Sequence, residues 1–454
     1  MLICRLVIAA FSAIILASPL AAQSSATTVF RHANLVPMDR ERTLLDQTVV
    51  VCDGRIAAVG SALPIPAGAT VIEAHGQWLS PGLADMHIHS ETPDELSVYL
   101  AHGVTTVLAM GGARQSLVGK TAPRANRGEI AAPHVYTAFL VDGTPEYNGF
   151  VLKTPAQARA LPALVRAQGY DFIKVYVGLT PPVYAALAQA ALTEHIPLVG
   201  HGVYAVRIDR QLAAGQAMIA HLEEFFYSYL FPPEKGFGED VPPDTSIARA
   251  VALVKRYDAT VTADPLTFRT IALIANHPEL GPPIFGQGEF ELLPANRRLE
   301  WLNSDYFKKT AKLLPRADFD RRLVKAFADA GVRLILGTDA PTIPGLFPGS
   351  SVHDQLAELR AAGLTPYQAL KSATAGPGDF IAKTRGGTPF GRILVGDRAD
   401  FVLTEGNPLM DLNTLRRPVG VMAAGKWRDS KMLAGLMDEV RMRYRSASGN
   451  HVSK

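Results

Sequence analysis

Eight short apolar segments, each four to six residues long, dominate the middle of the chain: Leu83–His87, Val104–Leu108, His134–Phe139, Asp171–Val175, Ile196–Val199, Ala217–Ala220, Thr260–Ala263 and Arg333–Gly337. Between most of them run stretches with apolar residues at helical spacing, among them Ala156–Gln168, Pro182–Thr193, Ile247–Lys255 and Phe319–Ala330. Pro182 suits a first helical turn. Strands that alternate with helices need a parallel sheet, and eight such units over about 300 residues predict an α/β fold, a (β/α)8 TIM barrel. A doubly wound parallel sheet is the competing arrangement.

The flanks read differently. Thr48–Val51, an Asp53-Gly54 turn and Arg55–Gly60 form a hairpin signal. Ala399–Leu403 and Val419–Ala424, ending at Gly425, repeat the style near the other end. The expected organisation is a small β-sandwich domain built from both ends of the chain (27–80 plus 386–430), a barrel over 81–385, and a C-terminal helix and tail over 431–454. The longest connection, Pro265 to Asp318, carries Phe285, Phe290, Trp301, Tyr306 and Phe307, and reads as a substrate-covering lid. No internal repeat is visible.

Residues 1–22 carry one charge, Arg5, an apolar run from Leu6 to Ala17, and small residues through Ala22. That is the pattern of a signal peptide, too short for a comfortable membrane span of about 20 residues. Its removal takes Cys4 away and leaves Cys52 as the only thiol, so no intramolecular disulfide can form and stability must come from a large core. The expected location is secreted or periplasmic, with no membrane association after signal removal. With 48% hydrophobic residues and a net charge of +3, the chain is neither disordered nor a nucleic-acid binder.

Chemistry sits at the strand ends. Asp85-Met86-His87-Ile88-His89 closes the first strand, and period-two alternation sends His87 and His89 to the same side. Lys174 lies within the apolar fourth strand, where a charge is costly unless neutralised or paired. His201, His221 and Asp339 directly follow strands five, six and eight. Barrel enzymes carry catalytic groups at that end of the strands, and five strand ends sharing one mouth point to a metal site.

With these residues in place, the sequence resembles the metal-dependent amidohydrolase superfamily over essentially the whole chain after residue 22. Leu79–His89 is similar to its strand-one signature, Gly337-Thr338-Asp339 to its strand-eight segment, and Ala399–Leu403 through Asn407-Pro408 to its returning small-domain segment. The nearest likeness is the imidazolonepropionase-like and Xaa-Pro dipeptidase-like branch. That resemblance implies two Zn2+ ions per subunit, with Mn2+ or Fe2+ also able to fill such a site. His87, His89 and Asp339 would hold the more buried ion, and His201 and His221 the more exposed one. N6-carboxylysine at Lys174 and a hydroxide would bridge both. The implied reaction is attack of the metal-bridging hydroxide on an amide carbonyl, with Asp339 passing the proton to the leaving amine.

Two features bear on substrate. His221 and Glu224 form a His-x-x-Glu pair, but it follows the strand-six histidine and Lys174 is present, so Glu223 and Glu224 are read mainly as local structure. Tyr204 and Tyr227 stand a few residues beyond metal ligands and are candidate substrate-binding groups for a carboxylate. Phe225, Phe226 and Tyr227 near the mouth favour a bulky apolar group. His102, His134, His195 and His353 are not expected to be ligands, with His353 the nearest to the mouth. The expected enzyme is an exported two-metal amidohydrolase acting on a small-molecule amide: a dipeptide, an N-acyl amino acid or an aromatic amide of the ochratoxin type. An ester, lactone or carbamate hydrolase with the same centre, or a metal-dependent deaminase, is the alternative. A catalytically dead scaffold would have lost ligands, and none is missing. A homo-oligomer is expected.

Overall fold

The computed structural model describes residues 27–147, 149–232 and 235–449. The signal-peptide segment, residues 1–22, lies outside them. No helix among the described residues is long and apolar enough to cross a membrane.

All eight expected core segments are parallel strands, and they lie in chain order around one sheet: Leu83–Ile88, Val104–Ala109, His134–Asp142, Phe172–Val175, Leu198–Gly200, Met218–Ile219, Thr260–Ala263 and Arg333–Leu336. A short extra strand, Phe150–Val151, pairs beside the third. The sheet closes where the eighth strand returns to the first. Asp339 N donates to His87 O and His89 N donates to Ala340 O, each at 2.8 Å. The competing doubly wound sheet would leave these edges apart, so the fold is a (β/α)8 barrel.

The core has two shells. Ala84, Met86, Leu108, Phe172, Val199, Met218 and Ile335 fill the interior, and Phe380 and Phe390 from below plug it. Phe172 and Phe380 stack with ring centroids 5.7 Å apart. Outward residues such as Ile173, Val175, Val107 and Val261 pack under the surrounding helices. Three of those helices begin with the same signature, Thr-Pro-x-Glu/Gln: Thr92, Thr154 and Thr365 each cap a helix whose third residue (Glu95, Gln157, Gln368) bonds back to the cap. These reciprocal bonds satisfy orphan backbone donors, and at Thr154 they fix the helix start one residue earlier than apolar spacing suggests.

The small domain is one branched sheet of eight strands rather than two separate ones. Strand Thr27–Leu35 is the branch point. It pairs along its first half with Thr70–Glu73 and at its end with Trp78–Pro81, with register shifts between Phe30 and Leu35. The bend folds two arms over a single apolar core of Phe30, Val49, Val51, Ile56, Leu79, Phe401, Leu403 and Met422. Phe401–Thr404, from the far end of the chain, pairs with Trp78–Pro81. Both expected hairpins are present (Leu44–Cys52 with Arg55–Gly60, and Gly420–Ala423 with Lys426–Asp429).

The long connection is built of helices rather than open loop, including Pro265–Ile274, Gly281–Phe285 and Ala295–Leu302. Buried Trp301 ties it down by donating from Nε1 to Pro341 O at 2.8 Å. The C-terminal helix, Ser430–Gly449, packs Val440 against Val98 of the first barrel helix and Leu292 of the long connection.

Candidate metal centre

The six expected ligand residues converge at the barrel mouth, delivered by several backbone devices. On the first strand, Met86 joins the interior shell whereas Ile88 joins the outer one. Strict alternation would not permit that. A register shift between Asp85 and Ile88 switches the parity, so His87 and His89 face the mouth together. On the fourth strand, Lys174 points inward with Phe172, as alternation requires. After the sixth, alternation from Met218 and Ala220 would turn His221 outward. A left-handed φ of 71° brings its ring back to lie 4.5 Å from that of His87. Asp339 is likewise left-handed, at φ 60°. Non-glycine residues in that region cost of order 1–3 kcal/mol, and such strain concentrates at functional sites.

His87 Nε2 and His89 Nε2 lie 3.3 and 2.8 Å from Asp339 Oδ1. The ligand atoms of these three residues all fall within 4.8 Å of one another, close enough to share one cation. Lys174 Nζ lies 3.0 Å from His87 Nε2. His201 and His221 stand on the other side, their rings 4.9 Å apart. Thus the lysine expected from sequence sits beside the first histidine set, and both sets are present in one mouth.

The electrostatics follow from burial. Desolvation pushes the Lys174 amine down to about 8, against the pull of Asp339 and Glu224. Burial, then Lys174, hold His87 and His201 well below the ordinary imidazole range. Burial would raise the Asp339 carboxyl, but His89, His221 and Lys174 outweigh it and keep it ionised well below the usual carboxylate range. Burial would lower His221, but Asp264 and Glu223 carry it up to about 10.

Several functional neighbours were not legible beforehand. Asp264, at the end of the seventh strand, accepts from His221 Nδ1 at 2.7 Å and from Leu222 N at 3.3 Å. Glu224, read from sequence mainly as local structure, lies with Oε1 2.5 Å from His201 Nδ1 and with Oε2 accepting from Gly202 N. Each carboxylate fixes one ring nitrogen and leaves Nε2 free, the arrangement found behind metal-ligating histidines. Asp85 accepts from Thr338 N at 3.0 Å, Thr338 Oγ1 at 2.6 Å and His87 N at 3.3 Å, joining the segments that carry His87 and Asp339. The Asp that ends an apolar strand was the available signal for Asp264, as it had been for Asp339. Tyr176 was also missed; its ring lies 4.1 Å from that of His201.

Tyr204 and Tyr227 do come together, with rings 6.1 Å apart. Phe225 and Phe226 are wholly buried and pack on Phe327 and Phe319, so they are core and not mouth. His353 is also removed from the site: its Nε2 meets His102 O at 3.0 Å inside the helical layer.

Comparison with known proteins agrees with this geometry. The amidohydrolase family profile matches residues 317–428, which span the eighth strand and the returning small-domain segment. An imidazolonepropionase from Deinococcus deserti is 28% identical over 395 residues, covering 82% of this chain and 89% of that protein. In the solved structures, a bottromycin amidohydrolase superposes with a TM-score of 0.71 at 23% identity, over 92% of this chain and 90% of the other. These likenesses mark the chain as an amidohydrolase-type enzyme. As an amidohydrolase it is a metal-dependent enzyme, and the imidazole–carboxylate clusters at its mouth are groups able to hold a metal. A more distant relative of this amidohydrolase is the ochratoxinase of Aspergillus niger, 23% identical over 90% of this chain and 87% of that one.

Proposed function

We propose that this amidohydrolase is an exported two-metal enzyme that hydrolyses the amide bond between an acyl group and an amino acid. The observation that carries the reading is the environment of Lys174. It is 1% exposed, its amine meets an imidazole nitrogen at 3.0 Å, and its pKa is drawn down by burial. A lysine kept there only for structure would be a desolvated cation among ligand nitrogens. As a neutral amine it can instead add to carbon dioxide: an N–C bond forms, one proton leaves, and the product is an anionic carbamate. Such an anion would help to hold two cations, with His87, His89 and Asp339 as donors for one and His201 and His221 for the other.

Imidazole and carboxylate donors suit zinc, with manganese or iron also accommodated; two such ions would polarise the scissile carbonyl and acidify nearby water. The chain's own residues do the rest. Asp339, ionised and open to the mouth, would take the proton from the attacking water and return it to the leaving nitrogen. An amide needs that return because an amide anion leaves poorly. Glu224 and Asp264 hold His201 and His221 in one tautomer. Tyr204 and Tyr227 would receive a substrate carboxylate. Glu224 is engaged by His201 and Gly202, which argues against its use as the proton shuttle of a deaminase. The ochratoxinase relative is consistent with an amide substrate.

The test is metal content of the purified protein alongside amine release from N-acyl amino acids and dipeptides. Two equivalents with amine release are expected. One equivalent, with ammonia released from a heterocycle, would replace this reading with deamination. Lys174→Ala should lose activity and most of one metal equivalent; full activity with two metals bound would remove the carbamate.

A further inference from the structure

Five successive strand–helix loops each place one tyrosine at the mouth: Tyr147 after strand three, Tyr176 after four, Tyr204 after five, Tyr227 after six and Tyr306 after seven. Tyr176 bridges His201, at 4.1 Å, and Tyr147, at 4.5 Å. Phe237 lies parallel to Tyr227 at 4.9 Å and edge-on to Tyr204 at 4.8 Å. Tyr306 packs against the cluster of Ile274, Ala340, Ile343 and Leu346, which includes the residue that follows Asp339. Among the described residues, none of the five phenol hydroxyls has a hydrogen-bond partner.

The outermost rings are the unusual ones. Phe237 is 60% exposed and Tyr147 is 47% exposed. An apolar ring left in water on a loose loop would be unremarked, but Phe237 is held. Buried Arg316 donates from Nη1 to Gly236 O at 2.7 Å and from Nε to Asp240 O at 2.8 Å, gripping the loop on both sides of Phe237. Its guanidinium lies over the rings of Phe226 and Phe231, at 5.1 and 5.4 Å. Gly236 lies so close to the chain beneath it that a Cβ there would come within 2.8 Å of Tyr227 Cα. An exposed ring fixed in this way is pre-organised to stack on something, because little ordering cost is left at binding.

We infer that this collar is an aromatic acyl subsite: it selects N-acyl amino acids whose acyl group carries a planar aromatic ring, which stacks on Phe237 and Tyr147 at the rim. The unpartnered tyrosine hydroxyls supply donors for the carboxylate of the same substrate. The inference rests on the amide-hydrolase reading above and adds the substrate class. Ring stacking beyond simple area burial corresponds to roughly a 2- to 10-fold preference per ring.

The test compares N-phenylacetyl and N-cyclohexylacetyl derivatives of one amino acid with the zinc-loaded full-length protein. The two amides are alike in electronics and bulk and differ in planarity. The wild type should favour the phenylacetyl compound by about 10-fold in kcat/KM, mainly through KM. Phe237→Leu, which keeps apolar bulk without a ring, should narrow that ratio about 3-fold or more, and Tyr147→Leu should do the same. A wild-type ratio within about twofold of unity, or an unchanged ratio in both variants, overturns the subsite while leaving the hydrolase intact. If neither compound is cleaved, the hydrolase reading fails, and calorimetric titration of the same pair decides the subsite. Tighter phenylacetyl binding that weakens in Phe237→Leu supports it, and equal affinities overturn it.

Discussion

His221 Nδ1 lies 2.7 Å from Asp264 Oδ2, joining two buried side chains delivered by consecutive barrel strands. The pair matters because His221 reaches the mouth only through a strained left-handed backbone, and the carboxylate then sets which nitrogen remains free. Glu224 does the same for His201. Among the described residues His87 has no such partner: its Nδ1 is buried without a hydrogen bond.

Asp264→Asn and Glu224→Gln should therefore weaken zinc binding by about 10- to 100-fold, with the loss confined to one of two equivalents. Equilibrium dialysis against zinc measures it, with circular dichroism to confirm the fold. Two equivalents bound at wild-type affinity in both variants would reduce these carboxylates to packing.

Gly111 lies against the His89 ring, and a Cβ there would come within 2.4 Å of His89 Nδ1. Gly111→Ala should displace His89 and cost about 1–3 kcal/mol by overpacking. Chemical denaturation and metal stoichiometry, measured together, should both fall. A stable variant with full metal content would mean that the ring can move aside.

Burial lowers His102 to about 4 and His353 to about 3, each with help from neighbouring positive charge. The unfolded chain titrates near 6.5, so below that pH it binds protons the folded state refuses. The contribution of each histidine to stability is complete above about pH 6.5 and is lost as pH falls toward its folded value, by up to about 1.4 kcal/mol per pH unit. His353→Asn should be the less stable protein at pH 7, and its deficit should shrink by about 1–2 kcal/mol at pH 5. A deficit that does not vary with pH would show that His353 takes up its proton as readily folded as unfolded.

Trp301→Phe leaves Pro341 O without its donor, a local cost of about 1–3 kcal/mol. Hydrogen exchange across Ala295–Leu302 should quicken while exchange in the barrel strands does not. Unchanged exchange there would mean that ring packing against Phe347 and Phe290 anchors the segment unaided.

Much of this architecture is legible from residues alone. Apolar runs of four to six residues ending in His, Lys or Asp mark the barrel strands and the inward-facing groups, because burial on both faces leaves no other reading for a parallel strand. Parity at His87 and His221 is not legible. A bulge and a left-handed residue each change which face a side chain takes, and neither carries a local sequence signal that alternation can detect. Phe225 and Phe226 mislead for a related reason. They follow His221 in sequence, but the helical turn after it runs back into the barrel wall and buries them. Asp264 and Glu224 depend on pairings across 43 and 23 residues, which spacing cannot reveal.

Asp85 and Thr338, the two ends of the barrel seam, are 253 residues apart in the chain. At a synthesis rate of about 5–20 residues per second, the first strand waits on the order of 10–50 s for the last one to be made. Throughout that interval its edge is unpaired and its histidines have no Asp339. A nascent chain can build helices and most of its strands early, yet the bonds that shut the cylinder are also the bonds that bring His87, His89 and Asp339 together. Closure and assembly of this cluster therefore arrive in one late event, and a truncated translation product ending before strand eight is left with an open edge and without Asp339.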